Sequence, residues 1–108
     1  METVIVALMT FPDETTARQI ATTLVERQLV ACVNLVPGAT SVYRWQGKVC
    51  TEGEVAGLAK TTRTRLPALK QAVRELHPYE CPELVAWEAV DGLEAYLEWV
   101  GQSLEMDP

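Results

Sequence analysis

Residues 31–62, ACVNLVPGATSVYRWQGKVCTEGEVAGLAKTT, decide the fold. A run of β-forming residues starts near Ala31 and continues through Cys32-Val33-Asn34-Leu35-Val36. Pro37-Gly38 interrupts it in the manner of a bulge or bend, and Thr40-Ser41-Val42-Tyr43-Arg44-Trp45 resumes it. Gln46-Gly47 then supplies a tight turn, and Lys48 to Thr62 is the returning strand. Both arms are long for so small a chain, since typical strands have about five or six residues. The tip of this hairpin is therefore expected to project beyond the body of the domain.

Working outward toward the N-terminus, Thr3 to Thr10 is a short apolar run rich in β-branched residues. Val4, Val6 and Leu8 fall on one face and Ile5, Ala7 and Met9 on the other, so this strand is covered on both sides and central. Pro12, Asp13 and Glu14 start a helix, with the proline in its first turn. Ala17, Ile20, Ala21, Leu24, Val25 and Leu29 follow at helical spacing. Toward the C-terminus, Leu66, Leu69, Val73 and Leu76 mark a second helix that stops at His77-Pro78. Leu84 to Val90 reads as a fourth strand. Asp91-Gly92 turns into a third helix carrying Leu93, Tyr96, Leu97, Val100 and Leu104.

The order β-α-β-β-α-β plus a helix predicts an α+β, ferredoxin-like antiparallel sheet with strands 1 and 3 in the centre. No repeat or linker breaks the chain, so residues 1–108 are expected to form one domain. Such a sheet carries two helices on one face and leaves the other open. Strands 1 and 2 are apolar on that second face as well, and a single short helix is too small to cover it. A closed homo-oligomer is the expectation.

The chain is 48% hydrophobic and carries a net charge of −6, with 15 acidic residues against 9 basic. That balance argues against nucleic acid and against an anionic membrane as partners. Met1-Glu2-Thr3 has no basic run, and Val4 to Met9 is too short to cross a bilayer, so no export signal is expected. Cys32, Cys50 and Cys81 are odd in number and lack CxxC spacing, which suits reduced thiols in a cytoplasm.

His77 is the only histidine, and no nucleophile elbow, P-loop or dinucleotide fingerprint is present, so no enzyme activity is expected. The acidic pairs Glu52/Glu54 and Glu80/Glu83 have spacings common on solvated edges. For a soft metal the candidate ligands are Cys32, Cys50, Cys81, Met9 and His77, none at the spacing of a dedicated zinc site. Each also has a structural reading: Cys32 as a small buried hydrophobe, Met9 as core, His77 as a helix-end cap. Trp45, near the hairpin tip, is placed for subunit contact, and Trp87 is placed in the core. Lys60 and Arg63 form a possible receptor for an anion in a cleft between subunits, or a solvated pair of charges.

Several stretches together resemble the CutA divalent-ion tolerance family. They are Ala31-Cys32-Val33-Asn34, Pro37-Gly38-Ala39-Thr40-Ser41, Tyr43-Arg44-Trp45-Gln46-Gly47, Lys60-Thr61, His77-Pro78-Tyr79-Glu80-Cys81-Pro82-Glu83 and Tyr96-Leu97-Glu98-Trp99. They follow one another in family order over nearly the whole chain. The resemblance implies a homotrimer with sheets packed inward and hairpins bracing neighbours, with Tyr43, Trp45 and Trp99 at the interface. It also implies an architecture related to the PII-type signalling proteins.

The same resemblance implies a protein that binds divalent cations or responds to them, copper above all; a cytoplasmic location and folding without metal are the accompanying expectations. In metal-binding relatives the ligands include a thiol at the position of Met9 and the histidine matching His77; Cys32 matches a recurrent cysteine. Here the thiol is replaced by a thioether, and Leu76 stands where a second histidine can occur, so much of that ligand set is lost. A second reading is a PII-like module holding a small anionic ligand between subunits near Lys60, Tyr79 and Glu83. A third is a trimeric scaffold that recruits another protein.

Overall fold

The computed structural model describes residues 2–105. Strand β1 (Val4–Phe11) pairs antiparallel with β3 (Lys48–Thr62) on one side, from Val4↔Thr62 to Phe11↔Val55. Its other side pairs with β4 (Leu84–Glu88), from Ile5↔Glu88 to Met9↔Leu84. Strand β2 (Cys32–Trp45) flanks β3, giving the order β2-β3-β1-β4 with β1 and β3 central as the sequence predicts.

One sheet face is sealed by α1 (Glu14–Glu26) and α2 (Leu66–Leu76). Ala7, Met9 and Phe11 of β1 meet Ala17, Ile20 and Leu24 of α1 and Leu69, Ala72 and Val73 of α2, with Val55 and Ala59 between them. Helix α1 starts one step later than expected. Asp13 is its cap, its Oδ1 accepting from the Thr16 N–H at 2.7 Å, and Pro12 lies outside. The helix ends with Gln28 in the left-handed region (φ +55°), the Leu29 N–H returning to the Leu24 carbonyl. The Gln28 amide also donates to the Ser103 and Glu105 carbonyls, tying this end to the C-terminal helix.

That helix, α3 (Glu94–Ser103), covers only one end of the opposite sheet face. Val100 and Leu104 pack there on Val4 and Ala31, with Ala89 and Leu97 at the edge. Arg65 pins the end of the helix by donating from Nε and Nη2 to the Leu104 carbonyl. Beyond α3 the face is uncovered. Val6, Leu8 and Leu58 are half-buried, while Val36 (50%), Val85 (57%) and Trp87 (46%) are exposed. Trp87 is therefore not a core residue. It pairs with Val6 on the part of this face that α3 leaves uncovered.

The hairpin outruns the sheet. Phe11 is the last β1 residue to pair, with Val55, so everything from Ala39↔Glu54 to the turn is a two-stranded ribbon. The turn has Gln46 at φ +50° and Gly47 at φ +80°, the left-handed pair that matches strand twist. At Val36/Ala39 the register shifts, setting Pro37 and Gly38 against Val55 alone, with Gly38 at φ +82°. This is the expected bulge, and it falls where the ribbon leaves the sheet.

Candidate functional site

The residues proposed from sequence as metal ligands are not brought together. Met9 is fully buried on the helix-covered face. Cys32 pairs with Lys60 on the other face, its Sγ 3.4 Å from the Tyr96 hydroxyl. Alternation along a strand sends these two side chains to opposite sides of the sheet.

His77 is 6% exposed, with its ring stacked on Phe11 (centroids 5.5 Å apart) and tilted against Tyr79 (4.6 Å). Nδ1 accepts from the Tyr79 backbone N–H at 3.2 Å, so Nε2 carries the proton and donates to the Thr10 carbonyl at 2.7 Å. Neither nitrogen has a lone pair to offer, and in this arrangement His77 acts as a brace between β1 and the loop after α2. Among the described residues, no three His, Cys, Asp or Glu side chains are grouped closely enough to hold a metal ion.

The same brace builds a different site. Tyr79, held by His77, passes the end of β1 and donates its hydroxyl to Glu54 Oε2 at 2.7 Å. The loop after α2 and the base of the ribbon thereby flank an open cleft of about 670 Å³. Tyr43, Trp45 and Tyr79 supply its aromatic surface, and Glu52, Glu54, Glu80 and Glu83 its carboxylates. Thr10, Ser41 and Cys81 complete the polar lining. Glu52 and Glu54 project from the same side of β3, about 7 Å apart along the strand.

The aromatic and acidic groups are in electrical contact. Burial, then the Glu54 carboxylate beside it, raises the Tyr79 phenol well above its ordinary value. Burial and Glu52 raise Tyr43 in the same way. In both cases the neighbouring charge opposes formation of a phenolate.

Of the residues proposed for an anion cleft, Tyr79 and Glu83 line this cavity and Lys60 does not. Lys60 pairs with Val6 and Cys32 and donates to Asn34 Oδ1, six residues along β3 from Glu54, or about 20 Å. No Lys, Arg or His is among the residues that this chain contributes to the lining. Tyr43 (37%) and Trp45 (42%) are exposed on the ribbon, and Trp99 (44%) is exposed on α3 beside Tyr96. Sequence reasoning assigned Glu52, Glu54 and Glu80 to solvated edges. Their one signal was two acidic pairs flanking segments that fold against each other, and Glu54 is 9% exposed rather than solvated.

The sequence matches the family described as CutA1 divalent ion tolerance protein over residues 5–103. It is 50% identical over 98 residues to the divalent-cation tolerance protein CutA of Thermus thermophilus, covering 91% of this chain and 95% of that one. The solved structure of that protein superposes with a TM-score of 0.87, covering 90% of this chain and 94% of that one. Protein CutA of Homo sapiens is 44% identical over 99 residues, covering 92% of this chain and 55% of its own, so the chain spans about half of that relative. A solved structure described as the periplasmic divalent cation tolerance protein CutA of Archaeoglobus fulgidus gives a TM-score of 0.91 at 30% identity, covering 94% and 99% of the two chains. The family match, the identity over nearly the whole chain and the superposition agree, and the chain belongs to the CutA1 divalent ion tolerance protein family.

Proposed function

We propose that this chain works as a homotrimer in divalent-cation tolerance, with the uncovered sheet faces of three copies packed inward and metal ions, copper first, held where subunits meet. The observation that carries the reading is the bare half of the sheet. Val36, Val85 and Trp87 are exposed there beside half-buried Val6, Leu8 and Leu58, a contiguous apolar area of a kind that monomers rarely leave to water. Tyr43 and Trp45 on the ribbon, and Trp99 on α3, extend the contact to neighbours. The family resemblance supplies the number three.

Because no ligand set is grouped among the described residues of one chain, the metal site in this reading draws on more than one subunit. The thiols that stay reachable are Cys32 and Cys50, both half-buried, and Cys81, exposed, and thiolates select copper over harder cations. The three unpaired cysteines favour a reducing compartment, and we place the protein in the cytoplasm.

Sedimentation equilibrium on the reduced protein tests the assembly, with a mass three times the chain's 12.0 kDa expected. Copper and zinc titrations, read as bound metal per chain, are run on wild type and on Trp87→Glu, which places a charge in the packed face. Loss of both trimer and metal in the variant supports the reading. A monomeric wild type, or metal binding that survives dissociation, refutes it.

A further inference from the structure

We propose that His77 is an acid-sensitive latch, and that a proton on its ring releases the loop after α2 from β1 and from the base of the ribbon. The proposal concerns the chain's own conformation and does not depend on the metal reading.

The latch closes only on a neutral ring. Nδ1 accepts the Tyr79 backbone N–H at 3.2 Å while Nε2–H donates to the Thr10 carbonyl at 2.7 Å. An imidazolium donates from both nitrogens and accepts from neither. A proton on Nδ1 therefore sets donor against donor at Tyr79. Turning the ring over gives no escape, because either nitrogen of the cation meets the Tyr79 N–H as a donor.

The surroundings hold no countercharge against the ring. His77 is buried between the rings of Phe11 and Tyr79, and β1 has no titratable side chain. In the last turn of α2, Arg74 and Glu75 are exposed and bonded to Gln71. Glu80, Cys81 and Glu83 of the loop are exposed, and Glu54 of β3 is bonded to the far end of the Tyr79 phenol. A buried cation without a carboxylate is costly, and moving the loop away lets water reach it.

The loop is also held by little else. Outside the helices and strands, no backbone-to-backbone hydrogen bond involves residues 78–83, and Pro78 and Pro82 have no N–H to give. Tyr79 carries both anchors, its N–H on His77 and its hydroxyl on Glu54. Loss of the first leaves the segment on the second alone.

Nuclear magnetic resonance of the assembled, isotope-labelled protein from about pH 8 to about pH 5 tests the latch, since histidine changes charge in this range. The chain has one histidine, so a single ring reports. The Nε2–H tautomer is expected at the alkaline end. On acidification the ring and the amides of residues 79–83 should change with one midpoint, while the amides of β1 and β3 stay in place. Tyr79→Phe removes the hydroxyl anchor and keeps the backbone N–H, so the midpoint should rise by about half a pH unit or more. His77→Gln cannot take the proton and should hold the loop signals constant. Five results overturn the proposal: an Nδ1–H tautomer, a ring that stays neutral throughout, a ring that titrates without the loop, loss of the β1 and β3 signals at the same midpoint, or a loop transition that persists in His77→Gln.

Discussion

Replacing Gly57 by Ala tests how the ribbon is seated on the sheet. A Cβ at this buried position would stand 2.9 Å from Phe11 Cε2, 3.3 Å from Val33 Cγ1 and 3.5 Å from Leu35 Cδ2. Carbon atoms settle at about 3.5–4.0 Å, so the phenyl ring has to retreat by about 0.6 Å. It has little room to do so. Phe11 is fully buried and stacks on His77, whose two nitrogens are tied to Thr10 and Tyr79. Two effects then compete: overpacking costs about 1–3 kcal/mol, while loss of glycine freedom in the unfolded chain returns about 0.4–1 kcal/mol. The net expectation is destabilisation by about 1–2 kcal/mol. Thermal melts at one fixed chain concentration should fall by about 5–10 °C. Combining Gly57→Ala with Phe11→Leu should be less harmful than the sum of the two, with a coupling of about 1 kcal/mol. A melt unchanged or raised by Gly57→Ala, or strictly additive variants, would refute the claim that Phe11 is held from behind by the His77 brace.

His77→Ala should cost about 2–4 kcal/mol in chemical denaturation, because it strips the Thr10 carbonyl and the Tyr79 N–H of their partner and opens a gap beside Phe11. Trp45→Ala should weaken assembly, seen as dissociation at low micromolar concentration by sedimentation; a fully trimeric variant there would remove Trp45 from the interface. The Asp13 carboxyl sits below its ordinary value because the Thr16 N–H bonds the ionised form. Its contribution to stability is complete above the unfolded value near 3.8 and is lost as pH falls through the lower folded value, so Asp13→Asn should flatten the acid limb of a stability–pH curve. Tyr96 is pushed up to about 12 by its hydrogen bond with Cys32 and then by burial. Stability from this group is present below pH 10 and declines as pH rises toward 12, and Cys32→Ala should lower the phenolate midpoint in an ultraviolet titration.

Sheet order, the two-residue turn, the Pro37-Gly38 bulge and the bare second face were all legible, because each rests on local periodicity or on glycine and proline. The side-chain site was not. His77 looked like a ligand from its residue type, yet its role depends on Phe11 and Thr10, which lie 66 and 67 positions earlier in the chain. Glu54 looked solvated because alternation along an isolated ribbon leaves either face open. Only the loop carrying Tyr79 closes over it, and Pro78 left that loop's path unpredictable from sequence. Trp87 followed the rule that large aromatics fill cores, and was misplaced because the sheet has one core face and one bare one.

The bare face divides into two regions of different chemistry, and that division sets where copies pack. At the Val4 end, α3 closes the sheet with Val100 and Leu104. In the middle, Leu8, Leu58, Val36 and Val85 offer apolar contact, with Lys60 and Asn34 bonded to each other beside them. Past the bulge the same side of β3 carries Glu54 and Glu52, and the ribbon adds Tyr43 and Trp45. Packing the middle against another copy buries hydrocarbon at little electrostatic cost. Packing the base of the ribbon the same way would bury Glu52 and Glu54 without a cation, which is far less favourable, so contact along the ribbon falls to Tyr43 and Trp45 nearer its tip. A trimer that closes on its apolar middle therefore leaves the acidic end as a cleft rather than a seal. Removing charge there with Glu52→Gln/Glu83→Gln should therefore leave the assembly intact, whereas Leu58→Glu in the apolar middle should dissociate it, both read by sedimentation equilibrium.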